Sequence, residues 1–317
     1  MSTIRAPGWP EVVTVIDSTK LSTYVECPRK FYYAYVLGWQ PSYESNHLIF
    51  GQAWHEALAR LIASEDYSPE SVERAFTEGF LPVYRAKFPS STDEVFWPKT
   101  PERAEAALLA WSRQWQHDPR DFEVLEIETC STVDVNLHSS AVARPLYVKL
   151  DTVLRDSSEW VRVLEHKTCS RLGEKRWELT NQINAYLLWA YLKYGTETGL
   201  VIDEAAFLKV KGNRGGQKFG FARTPVERSA LQLLAWADEA NEWLTRIERD
   251  FEAYYLETPE SASMRAFPRC GGTACGSFSG CPYTCLCSEW TNPRRNTASP
   301  PIGFVERHWD PRTNTGD

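Results

Sequence analysis

The sequence predicts an α/β fold, a central sheet flanked by helices, and three observations carry that prediction. The first third is patterned for helices, with helix-opening prolines in Ser68-Pro69-Glu70 and Thr100-Pro101-Glu102. Near Asp121 the texture changes to the alternation of apolar and polar residues that marks strands. A helical stretch over about 177–193 then lies between strand patterns rather than after them.

Along the chain, 1–17 reads as an irregular arm broken by Pro7 and Pro10. Ser18 is placed to cap a helix that runs through Leu21, Tyr24 and Val25 to Cys27-Pro28. An aromatic turn covers 29–37, Phe50 opens a helix to about Ala63, and Pro69 and Pro101 open two more. Segments 122–128 and 132–135 read as short strands, and 146–154 and 160–166 as a hairpin around the turn at 155–158. A strand over 205–210 leads into a Gly-rich tip at 211–216 and returns through 218–222, after which Pro225 opens a long helix to about Tyr255. The expected division is an arm (1–17), a helical part (18–120), a core (121–260), a cysteine-rich module (261–290) and a flexible tail (291–317).

A chain of 317 residues with 43% hydrophobic content can bury a full core in one or two domains. A net charge of −7 argues against a protein that coats nucleic acid through bulk charge, while leaving room for a local basic groove. Nothing after Met1 reads as a signal peptide, and no stretch nears about 18 unbroken apolar residues, so a cytoplasmic protein with no membrane partner is expected. In that compartment eight cysteines favour metal binding over disulfides. The thirteen tryptophans fit an aromatic core, with base stacking a secondary use.

The chemistry concentrates around Leu164-Glu165-His166-Lys167-Thr168. Glu165 and Lys167 leave their strand on one face, because strand side chains alternate. Asp151, fourteen residues before Glu165 and across one tight turn, can meet them. Two carboxylates can hold a hard cation, with an ammonium beside it to orient water or stabilise a phosphoryl transition state. An exposed hairpin face with salt bridges would have the same spacing. Gln182 and Tyr186, at i and i+4, share one face of the following helix. His55 offers a further ligand on an earlier helix.

This order of residues resembles the PD-(D/E)xK nuclease superfamily, and within it the RecB-like branch. The matching segments are Gly51-Gln52-Ala53-Trp54-His55, Lys149-Leu150-Asp151, Glu165-His166-Lys167-Thr168 and Gln182 with Tyr186, spread over roughly 18–290. Val148 stands where the family often has Gly, and Glu-His-Lys replaces the commoner Asp-Tyr-Lys. The resemblance implies a restriction-endonuclease-like central mixed sheet and Mg²⁺- or Mn²⁺-dependent hydrolysis of DNA, usually from ends, single-stranded or duplex. It implies metal ligation by His55, Asp151, Glu165 and the His166 carbonyl. Lys167 would be catalytic, with Gln182 and Tyr186 positioning the scissile strand. A recombination, replication or CRISPR-adaptation protein is a compatible partner. A non-catalytic DNA-binding scaffold of the same fold is the alternative.

Cys270, Cys275, Cys281, Cys285 and Cys287 fall within eighteen residues among Gly and Pro, which suits a loop wrapped on a metal. Zinc is one candidate, although the two-residue gap of zinc ribbons is missing. Cys27-Pro28-Arg29-Lys30-Phe31 resembles the motif of iron–sulfur RecB-like nucleases, such as the AddB nuclease domain and CRISPR-associated exonucleases. The ending over 281–287 is similar to phage and bacterial members. The resemblance implies a [4Fe-4S] cluster on Cys27, Cys275, Cys281 and Cys287, leaving Cys270 and Cys285 surplus. Cys130 and Cys169 read as ordinary thiols. The basic tip carrying Lys211, Arg214 and Lys218 is the candidate phosphate contact, with a solvated turn as the plainer account.

Overall fold

The computed structural model describes residues 3–138, 142–173, 177–195, 198–209, 219–276 and 280–312. The N-terminal third is helical, as its pattern requires. A short turn, α1 (Glu11–Thr14), precedes α2 (Ser18–Glu26) and α3 (Pro28–Phe31), which runs into a π-helical turn at Tyr32–Val36. Asp17 rather than Ser18 caps α2. Its carboxylate accepts the Lys20 amide at 2.7 Å, while Ser18 already lies within the first turn. The arm over 3–17 is irregular apart from α1 but is tucked in, with Ile4, Val13 and Ile16 buried. After the short strand β1 (Trp39–Pro41) comes α4 (Asn46–Ala63), which starts before the expected Phe50. Then α5 (Pro69–Ala75), a π-helical turn (Phe76–Phe80) and α6 (Leu81–Arg85) follow without a break. The helix α7 (Pro101–Gln114) and the short α8 (Asp118–Asp121) lead into the sheet. The hydroxyls of Ser68 and Thr100 cap α5 and α7, as their sequence signatures imply.

The main sheet contains β2 (Phe122–Asp134), β3 (Pro145–Asp156), β4 (Val161–Cys169), β5 (Thr198–Phe207) and β6 (Phe219–Val226), side by side in that order. Only β4 and β5 run parallel, because α9 (Asn181–Tyr194) carries the chain back between them. The sheet is therefore mixed. Three expectations are corrected. Segments 122–128 and 132–134 belong to one strand, β2, and Val135 lies just past its end. The strand expected from Ala205 begins at Thr198 and is buried on both faces, so its start shows no alternation. Pro225 lies in β6 at the sheet edge, where an absent amide is tolerated, and the long helix α10 (Ala230–Leu256) starts from a capping box of Ser229 and Gln232.

The sheet carries an apolar core on each face. One joins Leu150, Val163, Leu200 and Ile202 to α2, α9 and α10 and to Phe267, Tyr283 and Leu286. The other joins Ala205 and Phe207 to Phe50, Trp54, Phe80 and Trp111 of the N-terminal helices. Segments 1–17 and 261–290 thus share a core with the sheet. The chain ends with α11 (Thr273–Gly276), α12 (Thr284–Glu289) and β7 (Phe304–Glu306). The flexible tail expected from 291 is corrected as far as 312. There β7 pairs with β1, Trp309 Nε1 donates to Asp17 at 2.9 Å, and Arg312 meets Glu11 at 2.7 Å. Apolar Phe304 and Trp309 give this polar segment something to dock with. Among the described residues no helix is long and apolar enough to cross a membrane.

Candidate active site

Strands β3 and β4 pair from Arg155 with Val161 up to Thr152 with Leu164, and then part. Each stays with its outer neighbour: β3 pairs with β2 down to Pro145, and β4 with β5 up to Cys169. Asp151 stands at the fork. Its carboxylate replaces the lost ladder, accepting the His166 amide through Oδ2 at 2.8 Å. The other oxygen, Oδ1, meets His55 Nδ1, presented by α4, at 3.1 Å.

On β4, Glu165 and Lys167 form an ion pair. Lys167 Nζ also donates to Gln182 Oε1 at 2.9 Å and lies 5.2 Å from the centre of the Trp177 ring. Gln182 Nε2 donates to the Tyr186 hydroxyl at 3.0 Å, and that hydroxyl donates to the Lys149 carbonyl. The i, i+4 pair on α9 therefore links the Glu-x-Lys strand to the Asp151 strand. His166 points the other way. Its Nδ1 donates to buried Asp203 on β5 at 3.0 Å, and Trp111 Nε1 donates to the same oxygen at 2.8 Å. Arg223 balances Asp203 at 3.5 Å and pairs with Asp118 at 2.6 Å. These contacts tie the signature strand to the N-terminal helices.

Glu165 is only 1% exposed, and its Oε2 has no hydrogen-bond partner. Burial pushes its carboxyl up, the Asp151 charge adds to that, and Lys167 and His55 only partly oppose it, leaving it at about 7. Asp151 goes the other way. Burial disfavours its charge, but the His55 charge and hydrogen bond prevail with help from His166 and Lys167, holding it well below the usual carboxylate range. His55 loses by burial yet is raised overall by Asp151 and Glu165.

The profile of the PD-(D/E)XK nuclease superfamily matches residues 18–288. The chain belongs to this superfamily. Among solved structures, it is similar to a presumptive exonuclease from Eubacterium rectale at 10% identity and a TM-score of 0.40, over 75% of this chain and 82% of that one. It is also similar to SSO0001 at 13% identity and a TM-score of 0.26, over 59% of this chain and 74% of that one. No curated protein matches the sequence.

As a PD-(D/E)XK nuclease the chain belongs to a family that uses divalent metals, and its donor set fits such an ion. Ligand atoms of His55, Glu128 and Asp151 lie within 4.8 Å of one another. Glu128, on β2, is the residue that sequence reasoning missed. Its signal was the Glu126-Ile127-Glu128 alternation beside the Asp151 strand, but the register that aims it is not written in the sequence.

The basic tip with Lys211, Arg214 and Lys218 lies outside the described residues. Cys27, Cys270, Cys275, Cys281 and Cys287 line one pocket of about 330 Å³ beside α3 and α12. Cys285 is exposed and does not line it. Cys270 does line it, and burial, with Cys27 and Cys275 nearby, pushes its thiol up. Burial pushes the Cys287 thiol up to about 11. Of the thiols read as ordinary, Cys169 is buried and Cys130 exposed.

Proposed function

We propose that the protein is a divalent-metal-dependent DNA exonuclease of the RecB-like iron–sulfur branch, working on single-stranded or duplex ends in the cytoplasm. The observation that carries this is the buried, partnerless Glu165 Oε2, on the residue next to His166, whose amide donates to Asp151. An oxygen left in that state costs about 1–3 kcal/mol or more, a penalty that a cation removes. His55, Asp151, Glu165 and the His166 carbonyl would hold it, and the oxygen-rich set suits Mg²⁺ or Mn²⁺. When bound, the ion supplies charge neutralisation and Lewis-acid polarisation at the scissile phosphate.

The chain's own residues do the rest. Lys167, pinned between Glu165 and Gln182, keeps its ammonium where a water can be oriented and where phosphate charge rises in the transition state. Gln182 and Tyr186 position the scissile strand, and Lys211, Arg214 and Lys218 contact phosphates. A recombination, replication or CRISPR-adaptation protein is the partner this activity suits.

Cys27, Cys275, Cys281 and Cys287 would hold a [4Fe-4S] cluster that joins the two ends of the chain. The support for this reading is that Cys27 lines one pocket together with the C-terminal Cys275, Cys281 and Cys287.

The test is cleavage of end-labelled DNA in Mn²⁺ by the Asp151→Asn and Glu165→Gln variants. Both are expected to bind DNA without cutting it. Cutting at the wild-type rate by either variant overturns the assignment.

A further inference from the structure

We propose that Glu128 is a further side-chain ligand of the cation held by His55, Asp151 and Glu165, and that Lys149 is the counter-ion this cation displaces. The inference rests on the proposed function above and extends it to a residue outside the superfamily signature.

The register is the starting point. Ile127 pairs with Thr152 and Thr129 with Leu150, which puts Glu128 level with Asp151 on the adjacent strand. Side chains directly opposite on neighbouring strands share a face, and two like charges in that position repel. The backbone at Glu128 has φ of +49°, a left-handed conformation that is uncommon outside glycine. That conformation is held while the carboxylate is brought within 4.8 Å of ligand atoms of both Asp151 and His55. Glu165 supplies an independent sign that a cation belongs here. Its buried Oε2 is without a partner, and its neighbour in the chain, His166, donates its amide to Asp151.

Lys149 explains how the acidic set stays together without a cation. It precedes Asp151 by two residues, hence lies on the same face of β3, and its ammonium pairs with Glu128. The Lys149 side chain is 38% exposed, so it can turn to solvent at little loss, since partly exposed ion pairs contribute little. A divalent cation meeting an imidazole and three carboxylates gains far more. An imidazole in the set also favours Mn²⁺ over Mg²⁺.

The experiment measures Mn²⁺ binding to the full-length protein by calorimetry and by electron paramagnetic resonance of free Mn²⁺. Glu128→Gln is expected to weaken Mn²⁺ binding about tenfold or more. Lys149→Met is expected to tighten it several-fold, by removing the competitor. The double variant Glu128→Gln/Lys149→Met is decisive, and it is expected to stay weak. Recovery of wild-type affinity there would mean that Glu128 only neutralised Lys149, and the proposal falls. Unchanged binding in Glu128→Gln, with binding lost in Asp151→Asn, also overturns it while leaving the proposed function standing. If Asp151→Asn binds Mn²⁺ like the wild type, both fall. Should Glu128→Gln fail to fold, Lys149→Met decides alone, tightened binding supporting the proposal and unchanged binding sinking it.

Discussion

At Glu165 burial and the Asp151 charge act together, against Lys167 and His55. Its folded-state carboxyl stands at about 7, above its ordinary value. A carboxyl raised in this way adds stability that is fully present below the unfolded value and is lost as pH rises through about 7. In chelator, Glu165→Gln is therefore expected to be more stable than the wild type at pH 8 by on the order of 1–3 kcal/mol, with the advantage fading toward pH 5. Thermal melts at the two pH values check this, and an advantage independent of pH would remove the electrostatic account. Asp151 contributes in the opposite sense, its lowered carboxyl losing stability as pH falls. On the role proposed for Lys167, Lys167→Ala should lower the maximal rate far more than DNA affinity. If only the DNA requirement rises, Lys167 is a phosphate anchor. At this scale the sequence was most legible where spacing alone does the work: Glu165 with Lys167, and Gln182 with Tyr186. Glu128 was hidden because its partnership depends on a strand register set by three-dimensional pairing.

Among the elements, the fork between β3 and β4 builds the site, and the contact of His166 with Asp203 holds its far side in place. Asp203→Ala would leave Arg223 and His166 facing a buried gap. It is expected to lower stability by about 3 kcal/mol or more in urea titrations with Mn²⁺ absent. A change below about 1 kcal/mol would mean that Asp118 alone satisfies Arg223. Element types were legible from Pro-containing caps and alternation, as in α5, α7 and the β3–β4 hairpin. Boundaries were lost where tertiary context overrides a local sign. Pro225 looks like a helix start but sits in an edge strand, and the first residues of β5 look featureless because both faces are covered. Ser18 could cap, but Asp17 is one residue better placed.

The whole molecule is closed by contacts between its two ends. Arg29 is buried and donates to the carbonyls of Phe267 and Met264, and Tyr283 donates to the Trp39 carbonyl at 2.6 Å. A cluster on Cys27 and the C-terminal thiols would add a covalent tie across the same junction. Cys27→Ala is expected to give iron-poor protein after anaerobic purification, while Cys285→Ala keeps its iron. Stoichiometric zinc in the wild type would replace the cluster and leave the nuclease untouched. The packed tail has a further consequence, for synthesis. Asp17 caps the first long helix through one carboxylate oxygen and accepts Trp309 through the other, and β1 has its strand partner, among the described residues, in 304–306. A nascent chain still on the ribosome lacks both until those residues clear the exit tunnel. A product truncated before 304 would carry Asp151, Glu165 and Lys167 without the strand partner of β1 or the Trp309 contact at Asp17.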